Sequence, residues 1–126
     1  MCGIAGLALS GGAVPAAAAL HGMCDTLEHR GPDDRGMEIR GGVALGMTRL
    51  AVIDLHTGEQ PYASEEGAIS AVFNGEIYNF ASLRSGLEAR GHRFGGRSDG
   101  EVIVHLWEER GPEALRALEG MFAVAV

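Results

Sequence analysis

Apolar residues along this chain fall in short blocks, some at the spacing of a helix face and some as near-continuous runs, and the blocks outline the elements. Residues 2–9 (CGIAGLAL) are small and apolar and predict a buried strand at the N-terminus, broken by Gly11 and Gly12. Pro15 suits the first turn of a helix. Leu20, Met23, Cys24 and Leu27 then recur at helical spacing, and Gly31 stands where a C-terminal cap belongs. The alanines at 16–19 fit the same helix through their high propensity. Apolar stretches at 43–50 and 51–53 follow, interrupted by Gly46 and Arg49, and residues 56–62 (HTGEQPY) read as a loop. Residues 69–73 predict a strand that stops at Asn74-Gly75, a pair suited to positive φ. Phe80, Leu83 and Leu87 give a short helix ending before Gly91. Asp99 is placed to cap a third helix, with Val102, Ile103, Leu106 and Trp107 on one stripe. Pro112 opens a fourth with Leu115 and Leu118 inward, and residues 121–126 (MFAVAV) predict a strand. Strands and helices come in pairs and not as regular βαβ units, which predicts an α+β layered sandwich.

The last predicted strand ends on an apolar residue with no turn, cap or polar tail behind it. An open core strand is an aggregation hazard, so the expectation is a domain that continues past Val126.

Composition narrows the class. The chain has 126 residues, enough for one domain spanning 1–126. With 46% hydrophobic residues and a mean hydropathy of +0.07 it can bury a core, which argues against disorder. Ten basic and 17 acidic residues give a net charge of −7, and the basic ones are scattered, so neither nucleic acid nor an anionic membrane is the expected partner. Cys2 and Cys24 form no CxxC and have no matching histidine spacing, so neither a zinc site nor a disulfide framework is signalled, and no metal is expected. The N-terminus has no basic leader, and no apolar run approaches the ~18 residues of a membrane span; a soluble, cytoplasmic protein is expected.

Cys2 carries the first chemical signal. An initiator Met before a small residue is commonly trimmed, which would leave Cys2 with a thiol and a free α-amine a few bonds apart. Reference pKa values for these groups, about 8.5 and about 7.7–8.0, both lie near neutrality. One residue can therefore supply nucleophile and base, the alternative being an ordinary buried cysteine at a strand start. Arg30, Asp33, Arg49, Glu76 and Asp99 border apolar stretches, where a charge is ordinarily a solvated loop residue or a cap. Arg49 differs because it interrupts such a stretch and needs a partner, for which a carboxylate is the natural choice. A free amino acid such as glutamine offers a carboxylate to an arginine and an ammonium to Glu76 or Asp99, while Asn74-Gly75 can offer an amide and a backbone N–H to an oxyanion. These parts are compatible with hydrolysing the amide of a zwitterion.

Six strings occur in order: MCGIAG, HRGPD at 29–33, RLAVIDL at 49–55, FNGEIYN at 73–79, SDGEVI at 98–103 and LEGMFA at 118–123. Together they resemble the class II glutamine amidotransferase domain of glutamine-hydrolysing asparagine synthetases, over essentially the whole chain. Sister families with sugar-phosphate or purine-precursor acceptors also begin MCGI but carry other strings where this chain has RGPD and NGEIYN. The resemblance implies an N-terminal-nucleophile fold, a four-layer αββα sandwich, here C-terminally incomplete. It implies that Cys2 is the nucleophile, that Asn74 and Gly75 form the oxyanion hole, and that Arg49 binds the α-carboxylate of L-glutamine. Glu76 and Asp99 would hold the α-ammonium, with backbone groups of Val52 and Ile53 lining the pocket. It implies no cofactor in this domain, and a C-terminal synthetase domain using ATP and Mg to amidate aspartate, in a parent that can be a homodimer. The same module could serve another amide-forming synthetase or persist as a non-catalytic structural domain. Met47 stands where many relatives have His, and Gly100 where Thr or Cys is common; neither is a substrate-holding position. His21, His56, His92 and His105 read as surface or capping residues, His29 has no evident role, and Cys24 reads as inert. Trp107 and Phe94 read as core, and Tyr78 as packing near the pocket.

Overall fold

The N-terminal apolar block forms strand β1 over Gly3–Ala8 in the computed structural model, which describes residues 1–51 and 58–126. Helix α1 (Ala17–Thr26) follows, then a single 3-10 turn over Glu28–Arg30, so the helix ends five residues before Gly31. Gly31 has φ −159°, an extended value, and does not act as a left-handed cap. Strands β2 (Asp34–Arg40) and β3 (Val43–Arg49) complete an antiparallel sheet in the order β1-β3-β2. β2 was not expected from the pattern, because its residues are polar or only partly buried, as suits an edge strand.

A second antiparallel sheet has the order β4-β5-β6, from Tyr62–Ala63, Ser70–Ile77 and Gly120–Ala125. The expected stop at Asn74-Gly75 does not occur: β5 runs through both residues and pairs them with Ala123 and Phe122 of β6. Helices α2 (Phe80–Ala89) and α3 (Val102–Arg110) lie between β5 and β6 in the chain. Asp99 sits inside a 3-10 turn over Asp99–Glu101 and makes no capping bond to α3. The helix expected after Pro112 is a 3-10 segment, Gly111–Ala117.

Burial alternates along the central strands and explains the stacking. In β3, Ala44 faces α1 with Leu20 and Cys24, whereas Leu45 and Met47 meet Val72 of the other sheet. Gly46 lets α1 approach closely, since a Cβ there would lie 2.7 Å from the Cys24 sulfur. In β5, Ala71, Phe73 and Ile77 pack with α3 residues Val102, Ile103 and Leu106, and Trp107 and Phe94 join that core as expected. Burial pushes the Cys24 thiol up, which keeps it protonated and inert. The chain is thus mixed α and β, with two small three-stranded sheets and three α-helices among the described residues. Among the described residues, no helix is long and apolar enough to cross a membrane.

Candidate active site

Strand pairing decides what surrounds Cys2. β1 pairs with β3 so that Gly3 lies opposite Thr48, and one step further brings Cys2 against the end of β3. The Leu50 N–H points at the Cys2 sulfur at 3.4 Å, and the thiol faces the Leu50 carbonyl at 3.8 Å. Arg30 Nε donates to the Cys2 carbonyl oxygen at 3.0 Å, tying down the backbone that carries the thiol. Asp33 fixes the other side: its N–H donates to the Arg49 carbonyl at 3.0 Å, and its Oδ2 accepts the Ala51 N–H at 2.9 Å.

Cys2, Arg49, Asn74, Gly75, Glu76 and Asp99 all line one cavity of about 180 Å³ at the end of the two sheets, with Met1 at its rim. Arg49 is the last residue of β3 and is buried. Asn74, Gly75 and Glu76 come from the second half of β5. Gly75 has φ 149°, and a Cβ there would run into the Met121 carbonyl and lie 2.6 Å from Phe122 Cα. Glycine is therefore required by both conformation and space, and it keeps the floor of the cavity as bare backbone.

Asp99 is buried at the opposite wall and is held by the strand it faces: its Oδ2 accepts the Ile77 N–H at 2.8 Å. Ser98 beside it hydrogen-bonds Tyr62 Oη at 2.6 Å. Burial pushes the Tyr62 phenol up to about 12, against the pull of the Ser98 hydrogen bond. Gln60 acts as a strand partner made of side chain: its Nε2 donates to the Phe73 carbonyl at 3.1 Å and its Oε1 accepts the Phe73 N–H at 2.7 Å. One cation and two carboxylates thus share a small cavity with a thiol and a side-chain amide, a charge set suited to a zwitterion.

Six of the eight expected site residues therefore come together; Val52 and Ile53 lie outside the described residues. Tyr78 does not pack near the cavity and is 63% exposed, because it follows β5 at the point where the chain turns into α2. His105 is no surface residue: it is 1% exposed on a helix buried on nearly all sides. Arg30, Asp33, Gln60, Tyr62 and Ser98 support the site without having been singled out for that role. Arg30 and Asp33 stand in the HRGPD string and Ser98 in SDGEVI, so the signal was present, but their partners lie far along the chain: backbone groups of Cys2 and Ala51, and the Tyr62 hydroxyl.

Comparison with known proteins bears on the same residues. Residues 1–126 match the family described as a glutamine amidotransferase domain. The chain is 40% identical over its whole length to asparagine synthetase [glutamine-hydrolyzing] 2 of Bacillus subtilis, of which it covers 17%. It is 46% identical over 77% of its length to asparagine synthetase [glutamine-hydrolyzing] of Sandersonia aurantiaca, covering 18% of that protein. With asparagine synthetase [glutamine-hydrolyzing] 3 of Arabidopsis thaliana the identity is 45% over 77% of the chain, and 16% of the relative is covered. The chain thus spans about a sixth of the length of these relatives. With a family match across all 126 residues, the chain belongs to the glutamine amidotransferase domain family.

Proposed function

We propose that this chain hydrolyses L-glutamine to glutamate and ammonia through a thioester on Cys2. The observation that carries the reading is the single cavity shared by Cys2, Arg49, Asn74, Gly75, Glu76 and Asp99. Removal of Met1, which lines that cavity, would leave the Cys2 α-amine beside its own thiol. The Arg49 guanidinium holds the substrate α-carboxylate, and Glu76 and Asp99 hold its α-ammonium. Backbone groups of Val52 and Ile53 line the pocket in this reading. The Cys2 sulfur attacks the side-chain amide carbon while the α-amine takes the thiol proton. The oxyanion that forms is met by the Asn74 side-chain amide and the Gly75 N–H. Collapse of the tetrahedral intermediate breaks the C–N bond, and the ammonium of Cys2 returns its proton to the departing ammonia. Water, deprotonated by the same amine, then attacks the thioester, releasing glutamate and restoring the thiol.

On this reading the two sheets with helices outside them are part of a four-layer αββα sandwich of the N-terminal-nucleophile kind. The ammonia would serve ATP- and Mg-dependent amidation of aspartate by a synthetase domain of a longer parent polypeptide. Support for that step comes from the relatives' names. The test is glutamate release by the protein with Met1 removed, with intact mass recorded under substrate. A Cys2→Ala variant should lose turnover and the γ-glutamyl adduct together. Turnover that survives Cys2→Ala, or full activity in material retaining Met1, would sink the mechanism.

A further inference from the structure

Two histidines and two glutamates gather on the far side of the second sheet, away from the cavity at Cys2. Glu65 follows β4, His92 follows α2, and His105 and Glu108 lie one turn apart on α3. His105 Nδ1 lies 3.1 Å from Glu65 Oε2 and 3.8 Å from Glu108 Oε2. His92 Nδ1 lies 3.2 Å from Glu65 Oε1 and 3.6 Å from Glu108 Oε2. One ligand atom from each of the four can be chosen so that all lie within 4.8 Å of one another. We propose that Glu65, His92, His105 and Glu108 form a binding site for a late first-row divalent cation, with zinc the best match.

Geometry comes first. Bonds of about 2.0–2.2 Å to nitrogen and oxygen in a tetrahedron put neighbouring ligand atoms about 3.3–3.6 Å apart. The four separations above straddle that range, though they use both oxygens of Glu65; a single set of four ligand atoms lies within 4.8 Å, so the side chains must close by up to about 1–1.5 Å to bind. Two imidazoles with two carboxylates suit zinc over calcium or magnesium, which take oxygen ligands. Four protein ligands close the coordination sphere, which marks a structural site and not a catalytic one.

The outer shell carries the argument further. Both rings turn Nδ1 toward the shared centre and Nε2 toward a second carboxylate. His92 Nε2 lies 3.3 Å from Glu109 Oε1, and Glu109 is held by Arg90 at 2.6 Å. His105 Nε2 faces Glu101 at 3.8 Å, and Glu101 is itself fixed by the N–H groups of Gly95 and Gly96. Metal-bound histidines characteristically present their other ring N–H to a carboxylate in this way. A cation at the centre would serve the inner side of each ring and leave the outer nitrogen for the carboxylate. With one, a neutral imidazole suffices, its lone pair on the metal and its proton outward.

Two details favour the same occupant. The buried His105 Nε2 makes no hydrogen bond, and a metal pulling Nδ1 inward would fix the tautomer that presents a proton to Glu101. The surrounding groove holds Glu65, Glu66, Glu108 and Glu109 against Arg90 and Arg93, so the local balance is negative and the centre is reachable from solvent.

The test uses a Cys2→Ala background, so that the cavity thiol cannot bind metal. The chain is equilibrated with zinc chloride, passed through gel filtration, and its metal counted by emission spectrometry. One zinc per chain is expected, with an unfolding midpoint about 5–10 °C higher than in EDTA at a hundredfold excess over Kd. Cobalt should give visible bands of tetrahedral intensity with no thiolate charge transfer. His92→Ala and Glu108→Gln should lose the bound zinc while melting in EDTA near the parent midpoint. Glu109→Gln, which leaves all four ligands in place, should weaken binding about 10–100-fold. Zinc stripped by gel filtration from the parent, or zinc retained at full stoichiometry by both ligand variants, would overturn the proposal.

Discussion

Replacing Gly75 with alanine tests whether the cavity floor depends on bare backbone. The added Cβ would sit 2.6 Å from Phe122 Cα and 2.8 Å from Phe122 Cβ, and closer still to the Met121 carbonyl, where ordinary contact is 3.4–4 Å. These atoms belong to β6, the hydrogen-bonded neighbour of β5, so relief requires the two strands to part by roughly 1 Å. A shift of that size stretches adjacent ladder bonds beyond useful length, at about 1 kcal/mol each for one or two of them. The φ of 149° adds strain of about 1–3 kcal/mol for a residue with a Cβ. The sum is roughly 2–5 kcal/mol. An unfolding entropy of about 2.1 cal/mol/K per residue over 126 residues gives about 0.26 kcal/mol/K, so the midpoint should fall by roughly 8–19 °C. Gly22 supplies the control, since it lies in α1 with nothing within 4 Å of a Cβ. Gly22→Ala should raise stability by about 0.5–1 kcal/mol. Both variants are read by thermal unfolding, with glutamate release measured below the lower midpoint. A Gly75→Ala protein melting within about 2 °C of the parent, under 1 kcal/mol on the same scale, would refute the reasoning. If it folds, the proposed mechanism has it still losing turnover, because the Gly75 N–H assigned to the oxyanion would be displaced.

Two further outcomes are expected. Arg49→Lys should raise KM for glutamine by about 10–150-fold, the equivalent of roughly 1.5–3 kcal/mol, because one ammonium cannot reproduce a bidentate fork; an unchanged KM, or a protein that no longer folds, would exclude the clamp role. Tyr62→Phe should change how stability depends on alkaline pH. The phenol ionises near 10 when unfolded and near 12 when folded, so stability is unaffected below pH 10 and falls by about 2–3 kcal/mol as pH rises through 10 to 12 and beyond. The parent should therefore exceed the variant by about 1 kcal/mol at neutral pH through the Ser98 hydrogen bond, and fall below it by pH 12. Denaturant titrations across pH 8–12 check this, and a gap that stays constant with pH would contradict it.

Local patterns carried much of the architecture. The small apolar run at 2–9, the helical spacing of Leu20, Met23 and Cys24, and the stripe Val102, Ile103 and Leu106 all became the elements they predicted. Four of the six strings carry Cys2, Arg49, Asn74, Gly75, Glu76 and Asp99, and all six of these residues line one cavity. What the pattern could not express was pairing. β2 is a strand because β3 offers it an edge, and Asn74-Gly75 continues a strand because β6 lies alongside. Asp99 serves Ile77 and not its own helix, and Gln60 serves Phe73, choices made by backbone groups 22 and 13 residues away. The clearest case is the His92–His105 cluster. Its residues have no metal-like spacing, and only the packing of α3 against the turn after β4 and the loop after α2 brings them within 4.8 Å. Spacing reports what one element can present on one face, while a site shared by three elements exists only once burial has fixed how they meet.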